Sequence, residues 1–317
     1  MKSSLITGIA GQDGTYLYKY LLSKNYSIVG VDICQFSANG VDFIGNLDLS
    51  DTTSVLNLIK RTKPDEVYHL AALHGSSENS VENEVDLFKK SKDANVLSTI
   101  NLLEGIRKYS PETKLFYAAS SQMFGTPKTY ICNEDTPFNP VNIYGITKLA
   151  ATKLCHYYRN DHNVFASVGI MYAHESPLRG SSFVSKKIVE GAVSIKYNKT
   201  KELILGNLEA EVDWGFAGDY VIAMRKILQL KKPNDFIISS GFKHTVKEFV
   251  EIVFDYLKLN WKKHVIVKKD IIKSNNSFSP LGDNRKLIDF TGWRPVVNFK
   301  QLVIIMIEAE IENRTNV

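Results

Sequence analysis

The sequence predicts an α/β protein with a doubly wound parallel sheet and a smaller C-terminal lobe. Three observations support this fold class. Short apolar runs alternate with stretches of helical periodicity in the first half, glycines follow the first apolar run, and the rhythm changes after about residue 172. Alternating strands and helices favour parallel strands joined by right-handed crossovers, with helices on both faces. Ligands of such sheets bind in the crevice at the carboxyl ends of the strands.

Two periodicities assign the individual elements. Short apolar runs bounded by turn residues are typical of buried strands, and apolar repeats at three or four residues are typical of helices. The predicted strands are 4–7, 27–32, 43–47, 66–70, 114–118 and 165–171. The predicted helices are 15–24, 53–62, 86–109, 144–161, 183–196, 217–230, 245–258 and 299–313.

Composition argues against several classes of protein. A net charge of +5 over 317 residues is weak, and the basic residues form no dense stripe for nucleic acid. Cys34, Cys132 and Cys155 are odd in number and lack metal-ligand spacing, which predicts free thiols in a reducing compartment. The first apolar run is too short for an export signal or a membrane span. We expect a cytoplasmic protein without a metal site.

Gly8, Gly11 and Gly14 form a GxxGxxG pattern between the first strand and the first helix. Glycines allow a tight turn and close approach of a pyrophosphate, and the helix N-terminus offers N–H donors and positive dipole charge. Glycines of other strand–helix turns can imitate this spacing. Its place in a βαβ unit nevertheless predicts a Rossmann-type dinucleotide site that includes Gln12 and Asp13.

Asp32 closes the second predicted strand, where an acid accepts hydrogen bonds from the adenosine ribose. A carboxylate there would repel a 2′-phosphate, and residues 33–35 include no Arg to bind one. We therefore expect NAD rather than NADP as the cofactor. Asp48 and Leu49, after the third strand, are assigned to the adenine side of the same site. An ordinary turn role remains the alternative for both acids.

Tyr144 and Lys148 stand one helical turn apart in a YxxxK pattern. Residues i and i+4 share a helix face, so the ammonium is expected to lie beside the phenol and lower its pKa. The phenol could then exchange a proton with a substrate hydroxyl while hydride moves to or from a nicotinamide. Ser120, just after the fifth strand, would hold the reacting oxygen. The YxxxK spacing alone is common, but these elements occur together in the right order.

Longer segments carry a family resemblance that covers nearly the whole chain. The sequence is similar to the extended short-chain dehydrogenases/reductases and, among them, resembles the GDP-mannose 4,6-dehydratase family. The segments are LITGIAGQDGTYL, HLAA at 69–72, NPVNIYGITKLAA, HESPLRGSSFVSKKI, LGNLEAEVDWGFAGDYVIAM, and LGD followed by GWRP. The HESP, LGNL and DWG segments are more specific than the cofactor motifs, and they imply a GDP-sugar substrate.

The resemblance implies a role for several further residues. It places Val184 and Lys187 on guanine, Leu205 and Gly206 at the border of the nucleotide, and Glu175 near the sugar. Arg179 is a candidate contact of a phosphate or the sugar, and Ser121 lies on the substrate side. The backbone of Leu70, Ala71 and Ala72 would line the cofactor. The change of rhythm after about residue 172 predicts a dinucleotide-binding domain over 1–172 and a mainly substrate-binding lobe over 173–317, with interleaved elements.

One departure from the family changes the expected chemistry. Where the family has Glu two residues after the hydroxyl residue, this chain has Gln122. Dehydration needs an acid/base for the C5 proton and the C6 hydroxyl, and an amide has no usable ionisable proton near neutral pH. Oxidation at C4 needs only Ser120, Tyr144 and Lys148. We therefore expect NAD-dependent oxidation at C4 of a GDP-sugar without dehydration.

Other departures concern the sugar and leave alternatives open. Val212 replaces a family Arg and Ala173 replaces an Asn, which fits a sugar other than mannose, such as a GDP-manno-heptose used for capsular or surface polysaccharide. A 4,6-dehydratase, a 4-epimerase, a ketosugar reductase and, in another class, a non-catalytic NAD-binding regulator remain alternatives. The resemblance also implies a homodimer, while no nucleic-acid or membrane partner is expected.

Overall fold

Seven parallel strands form the central sheet of the computed structural model, which describes residues 1–73, 83–268 and 279–315. The strands are β1 (Ser3–Thr7), β2 (Ser27–Asp32), β3 (Val41–Gly45), β4 (Glu66–His69), β5 (Lys114–Ser120), β7 (Ala166–Met171) and β12 (Asp235–Ile238). Their spatial order is β12-β7-β5-β4-β1-β2-β3, and every neighbouring pair is parallel. The α/β class and the six strands predicted in the first half are confirmed.

Strand β12 is the element of this sheet that the sequence analysis missed. It pairs with β7 from Asp235 opposite Val168 to Ile238 opposite Met171. A run of four residues carries too little periodicity to separate a strand from a loop. The chain therefore returns to the central sheet after residue 173 instead of building only a separate lobe.

Helices cover both faces of the sheet. They are α1 (Gln12–Leu22), α2 (Thr52–Thr62), α3 (Glu84–Lys92), α4 (Ser98–Tyr109), α5 (Ile143–Asp161), α6 (Val184–Lys196), α7 (Ala217–Leu228), α8 (Val246–Tyr256), α9 (Arg285–Thr291) and α10 (Phe299–Thr315). Successive side chains of a strand point to opposite faces. Leu5 of β1 therefore packs with α2, α4 and α5, whereas Ile6 packs with α1 and α7.

The long helical region predicted over 86–109 is present, and its α-helical hydrogen-bond pattern is interrupted once. A π-helical segment, Asp93–Leu97, separates α3 from α4. No local pattern in the sequence indicates this π segment, in which the buried Asn95 donates a hydrogen bond to Thr147 of α5. Single π turns inside helices are frequent at functional sites.

The remaining elements form a smaller lobe with its own core. Helices α6, α8 and α10 pack around Trp214 and Phe249 in a third apolar cluster. Short strand pairs lie outside the central sheet: β6 (Ile131–Cys132) with β15 (Leu281–Gly282), β8 (His174–Glu175) with β11 (Gly215–Phe216), β9 (Leu203–Leu205) with β14 (Val265–Val267), and β10 (Glu211–Val212) with β13 (His244–Thr245). Among the described residues, no helix has both the length and the apolar character that crossing a membrane requires.

Candidate active site

The turn between β1 and α1 has room only for glycine at two positions. Gly8 has a φ of +76°, and a Cβ added there would lie 2.8 Å from the backbone nitrogen of Ala71. A Cβ on Gly14 would lie 2.3 Å from the carbonyl oxygen of Gly8. The turn is therefore packed tightly between the first turn of α1 and the backbone that follows β4, where Leu70 donates to the carbonyl of Thr7.

This turn fits a dinucleotide pyrophosphate. Gly11 is the N-cap of α1, and it has no side chain to cap the N–H groups of the first turn. The first N–H groups of a helix have no acceptors within the helix, and they carry the positive end of its dipole. Together with the close approach that Gly8 and Gly14 permit, this arrangement matches an anion-binding helix start.

Asp32 lies at the carboxyl end of β2 and is tied to the glycine turn. Its carboxylate accepts hydrogen bonds from the backbone N–H of Ala10 and of Cys34, each at 2.9 Å. Ile33 next to it is 76% exposed, so an apolar side chain borders this carboxylate. Asp48 instead accepts from the backbone and hydroxyl of Ser50, which makes it a turn-stabilising residue at the neighbouring strand end.

Two other residues assigned to the cofactor occupy different environments. Leu49 is partly buried against the core, and its carbonyl accepts a hydrogen bond from the Asn101 side chain. Ala72 is exposed just beyond β4. Only the backbone or a small apolar surface of these residues is available to a ligand.

Ser120, Tyr144 and Lys148 meet where β5 ends beside α5. Ser120 is the last residue of β5, and its hydroxyl accepts from the backbone N–H of Gln122. Lys148 is 2% exposed, and its Nζ donates to the carbonyl of Ala118 at 2.7 Å. The same Nζ lies 5.7 Å from the ring centroid of Tyr144. The structure thus brings the three predicted catalytic residues together, with Ser121 half-buried and Gln122 exposed beside them.

The electrostatics of this set differ from the sequence-based expectation. Burial raises the pKa of the Tyr144 phenol above its usual value, although the Ser120 hydroxyl and the Arg179 charge oppose the rise. Burial lowers the pKa of Lys148 to about 7. Desolvation is thus the largest effect on the phenol, and the net shift of its pKa is upward, opposite to the direction that the sequence analysis expected from the neighbouring ammonium.

Two buried polar residues that the sequence analysis missed support the site. Asn95, in the π-helical segment, accepts from the backbone of Leu73 at 3.3 Å and donates to Thr147 of α5 at 3.0 Å. His69 bridges the hydroxyls of Thr7 and Ser98, and burial lowers its pKa to about 3. His69 is therefore neutral and structural. In the sequence, the HLAA segment pointed to His69, whereas no motif pointed to Asn95.

The loop after β7 is joined directly to the cofactor turn. Nε2 of His174 lies 2.9 Å from Oδ2 of Asp13, and its Nδ1 lies 2.7 Å from the carbonyl of Tyr172. The hydroxyl of Ser176 donates to Oε1 of Gln12 at 2.8 Å. Burial opposes both charges, but the pairing outweighs it, so the pKa of Asp13 is lowered and that of His174 is raised.

Replacing His174 by Gln is expected to lower the free energy of unfolding by about 1.5–3 kcal/mol, the range for hydrogen bonds to charged groups. Since the folded state raises the pKa of His174, the stabilisation is complete below the ordinary value of 6.5 and declines as pH rises through the raised pKa. Urea unfolding across this pH range measures the difference. A double-mutant cycle with Asp13→Asn isolates the pair. A difference that does not change with pH would contradict an ionic contribution.

Residues assigned to the sugar and the nucleotide are only partly accessible. Glu175 is buried, accepts from the Ser185 hydroxyl at 2.6 Å, and lies 3.2 Å from Nε of Arg179. Burial raises its pKa, and the Arg179 charge opposes that rise. The guanidinium carbon of Arg179 lies 3.5 Å from the ring centroid of Phe183. Glu175 therefore holds this loop against α6 and does not itself face an open cleft.

The nucleotide-side residues come from α6 and β9. Val184 is exposed at the first position of α6, and Lys187 is half-buried one turn later. The Leu205 side chain lies in the core of the lobe, so only its backbone and Gly206 could border a ligand. Within the residues that the structure describes, no group of three or more His, Cys, Asp or Glu side chains could hold a metal ion.

Comparison with known proteins points to one family. A family model described as GDP-mannose 4,6 dehydratase matches residues 5–306. GDP-mannose 4,6 dehydratase 1 of Arabidopsis thaliana is 37% identical over 332 residues, which cover 98% of this chain and 90% of that protein. The GDP-mannose 4,6 dehydratase of Homo sapiens is 33% identical over 349 residues, which cover 99% of this chain and 92% of that protein.

Solved structures share the fold at lower identity. The UDP-glucose 4-epimerase of Thermus thermophilus, solved with NAD, has a TM-score of 0.83 and 21% identity, and the match covers 98% of this chain and 99% of that chain. The dTDP-glucose 4,6-dehydratase of Bacillus anthracis str. Ames, also solved with NAD, has a TM-score of 0.82 and 19% identity, with 99% and 98% covered. These likenesses confirm the Rossmann-type α/β fold.

Proposed function

The chain belongs to the GDP-mannose 4,6-dehydratase family, and on that premise we propose that it oxidises C4 of a GDP-sugar to the 4-keto sugar, with NAD and without loss of water. The relatives are named for a reaction of GDP-mannose. An enzyme that modifies a GDP-sugar is therefore the shared assignment. The observation that carries the finer proposal is Gln122, which stands in the position where the family resemblance expects Glu. Its amide lies two residues after Ser120 and accepts a hydrogen bond from Asn142, the N-cap of the helix that bears Tyr144.

The oxidation needs one proton and one hydride removed from the sugar. Ser120 would hold the C4 hydroxyl by a hydrogen bond, and Tyr144 would take its proton. Lys148, buried beside the phenol, supplies positive charge that stabilises the phenolate formed after ionisation. Bound NAD supplies the acceptor for the hydride that leaves C4 with the electrons of its C–H bond.

Among the described residues, an amide stands where the elimination of water would use a carboxylate. Removal of the C5 proton and protonation of the C6 hydroxyl need an ionisable side chain, which contributes about 10²–10⁴-fold. The Gln122 side chain donates and accepts hydrogen bonds but does not titrate near neutral pH. The reaction would therefore stop at the 4-keto sugar.

NAD is the proposed cofactor in preference to NADP. Asp32 places a carboxylate at the end of β2, and its backbone partners hold it at the glycine turn. A carboxylate suits ribose hydroxyls and repels a 2′-phosphate. The exposed Ile33 beside it provides apolar surface for an adenine ring but no charge for a phosphate.

The proposed substrate is a GDP-sugar that carries either a mannose-like hexose or a manno-heptose. Val184, Lys187 and the backbone at Gly206 are the proposed nucleotide contacts. Val212 lies in β10, where the resemblance expects Arg, so one phosphate contact is missing. Ala173, before the HESP segment, likewise replaces an Asn. A changed set of polar groups favours a changed sugar.

Incubation of the purified protein with NAD and either GDP-mannose or GDP-manno-heptose tests this function. The expected product is lighter than the substrate by two hydrogens, and NADH appears in equal amount. A product lighter by water would indicate a 4,6-dehydratase, and an isomer of equal mass would indicate a 4-epimerase. Oxidation of added NADH by a 4-keto substrate would indicate a reductase, and bound NAD without turnover would indicate a regulator. Parallel reactions with NADP test the cofactor preference.

A homodimer is the proposed assembly. Helix α3 lies beside α5, and each exposes two large apolar side chains at helical spacing: Val85 and Phe88 on α3, and Ile146 and Tyr157 on α5. An apolar face made by two long helices suits a second copy of the same chain, because a two-fold interface uses the same surface twice.

Light scattering is expected to give twice the mass of the chain for the wild type and the single mass for a Phe88→Lys, Ile146→Lys double variant. Each buried lysine would lose hydration without a partner, which opposes association. Phe290→Lys, which adds a charge at another exposed aromatic residue on α9, serves as the control. A dimer that survives the double variant would place the interface elsewhere.

A further inference from the structure

An amide pair joins the start of α5 to the turn after β5. Asn142 is the N-cap of α5, and its Oδ1 accepts a hydrogen bond from the backbone N–H of Gly145 at 2.8 Å. Nδ2 of the same side chain donates to Oε1 of Gln122 at 2.9 Å. Both amide side chains are exposed, and Gln122 follows Ser120 by two residues. The pair therefore lies open to a ligand beside the catalytic residues.

The helix cap decides which way both amides point. An N-cap must offer oxygen to the free N–H groups of the first turn. A reversed Asn142 amide would set its NH2 against the N–H of Gly145, so its NH2 must face Gln122. Because an NH2 group only donates, the oxygen of Gln122 must face Asn142. The Nε2 donors of Gln122 then face away from Asn142.

The backbone keeps Gln122 in place for this pairing. Its N–H donates to the Ser120 hydroxyl at 3.2 Å, and its carbonyl accepts from Gly125 at 3.3 Å. A Cβ on Gly145 would lie 2.6 Å from the same carbonyl oxygen, so the first turn of α5 packs directly on Gln122. These contacts fix the backbone of Gln122, while its side-chain amide can still rotate. The hydrogen bond to Asn142 selects one orientation of that amide.

We propose that Asn142 is a positioning residue that sets the polarity of Gln122, so that Gln122 offers N–H donors to a hydroxyl oxygen next to the reacting carbon of the sugar. This inference rests on the proposed function, which places the C4 oxygen at Ser120 and Tyr144. In a hexopyranose, the two ring carbons bonded to C4 are C3 and C5, which carry the C3 hydroxyl and, through C6, the C6 hydroxyl. The enzyme would then select sugars that carry a hydroxyl at one of these two positions.

GDP-mannose and its 3-deoxy and 6-deoxy analogues test the selection. The wild type is expected to show a kcat/KM about tenfold or more lower for one of the two analogues, as one lost hydrogen bond to a positioned donor predicts. Dissociation constants measured by calorimetry on the NAD-loaded protein should show the same preference. The analogue that is affected identifies the oxygen. A wild type that treats all three sugars alike would overturn the inference.

The Asn142→Asp variant separates the effect on the orientation of the Gln122 amide from the effect on capping of α5. Asp caps a helix as well as Asn does, so the fold is retained, but its second oxygen can only accept. Gln122 would turn its NH2 toward the new carboxylate and its oxygen toward the sugar. A hydroxyl can also donate to that oxygen, so the discriminating probe is the deoxyfluoro analogue at the same position, whose fluorine only accepts. Relative to the hydroxyl sugar, its KM is expected to rise about tenfold in Asn142→Asp and to stay within about twofold in the wild type.

The matched control is Asn260→Asp. Asn260 caps the short turn Trp261–Lys263 through the N–H of Lys262, and its change is expected to leave the discrimination as in the wild type. Wild-type discrimination in Asn142→Asp would contradict the inference. The calorimetric preference does not depend on turnover, so it tests the polarity of Gln122 even if product masses refute the oxidation.

Discussion

Phenylalanine in place of Tyr144 is expected to lower kcat/KM by about 10²–10⁴-fold, the usual contribution of a positioned acid or base. The ring would still fill its place beside Lys148 and Ser120, so binding of NAD and of GDP should change by about twofold or less. The group removed is the hydroxyl that is proposed to take the C4 proton. Initial rates of NADH formation, together with calorimetric titrations of both ligands, measure the two effects separately.

Tyr157→Phe is the matched control on the same helix. Tyr157 is half-exposed on α5, and its ring packs against Tyr158 and His162, so loss of its hydroxyl should leave turnover within about twofold of the wild type. Wild-type turnover in Tyr144→Phe would remove the phenol from the mechanism. Loss of ligand binding in that variant would assign Tyr144 to binding instead of proton transfer.

Glutamate in place of Gln122 is expected to add water loss to the reaction. The new carboxylate would occupy the same site and accept the same hydrogen bond from Asn142. It would supply the missing acid/base, which is typically worth about 10²–10⁴-fold in rate. A product lighter by one water should therefore appear beside the 4-keto sugar. Mass spectrometry of the products, with NADH followed in parallel, measures the ratio of the two reactions.

Gln122→Ala is the control for this gain. It removes the amide without adding a carboxylate, so oxidation should continue and no water-loss product should form. Water loss by the wild type would refute the central proposal. If Gln122→Glu binds the sugar and oxidises it but never releases water, the missing carboxylate is not what prevents dehydration.

Local patterns were sufficient for much of the fold. The six strands predicted before residue 172 are present, because each is an apolar run bounded by turn residues. The glycine turn and the YxxxK pair also follow from local rules: Gly8 needs a positive φ, and Tyr144 and Lys148 share one helix face. In both cases a few adjacent residues contain the whole geometric requirement.

The elements that were missed depend on distant partners. Strand β12 has only four residues, and it is stabilised by pairing with β7. The π-helical segment around Asn95 is accompanied by a hydrogen bond to Thr147, more than fifty residues away in the chain. Periodicity within one segment contains no information about such contacts.

The sequence by itself therefore determined the α/β class, the glycine turn and the shared helix face of Tyr144 and Lys148, and it predicted their grouping with Ser120. Only the tertiary structure decided the protonation tendencies, since burial raises the pKa of Tyr144 and lowers that of Lys148. It also decided that Glu175 is buried and that Asn142 holds Gln122. Desolvation and hydrogen-bond direction depend on everything packed around a group, which residue order along the chain does not specify.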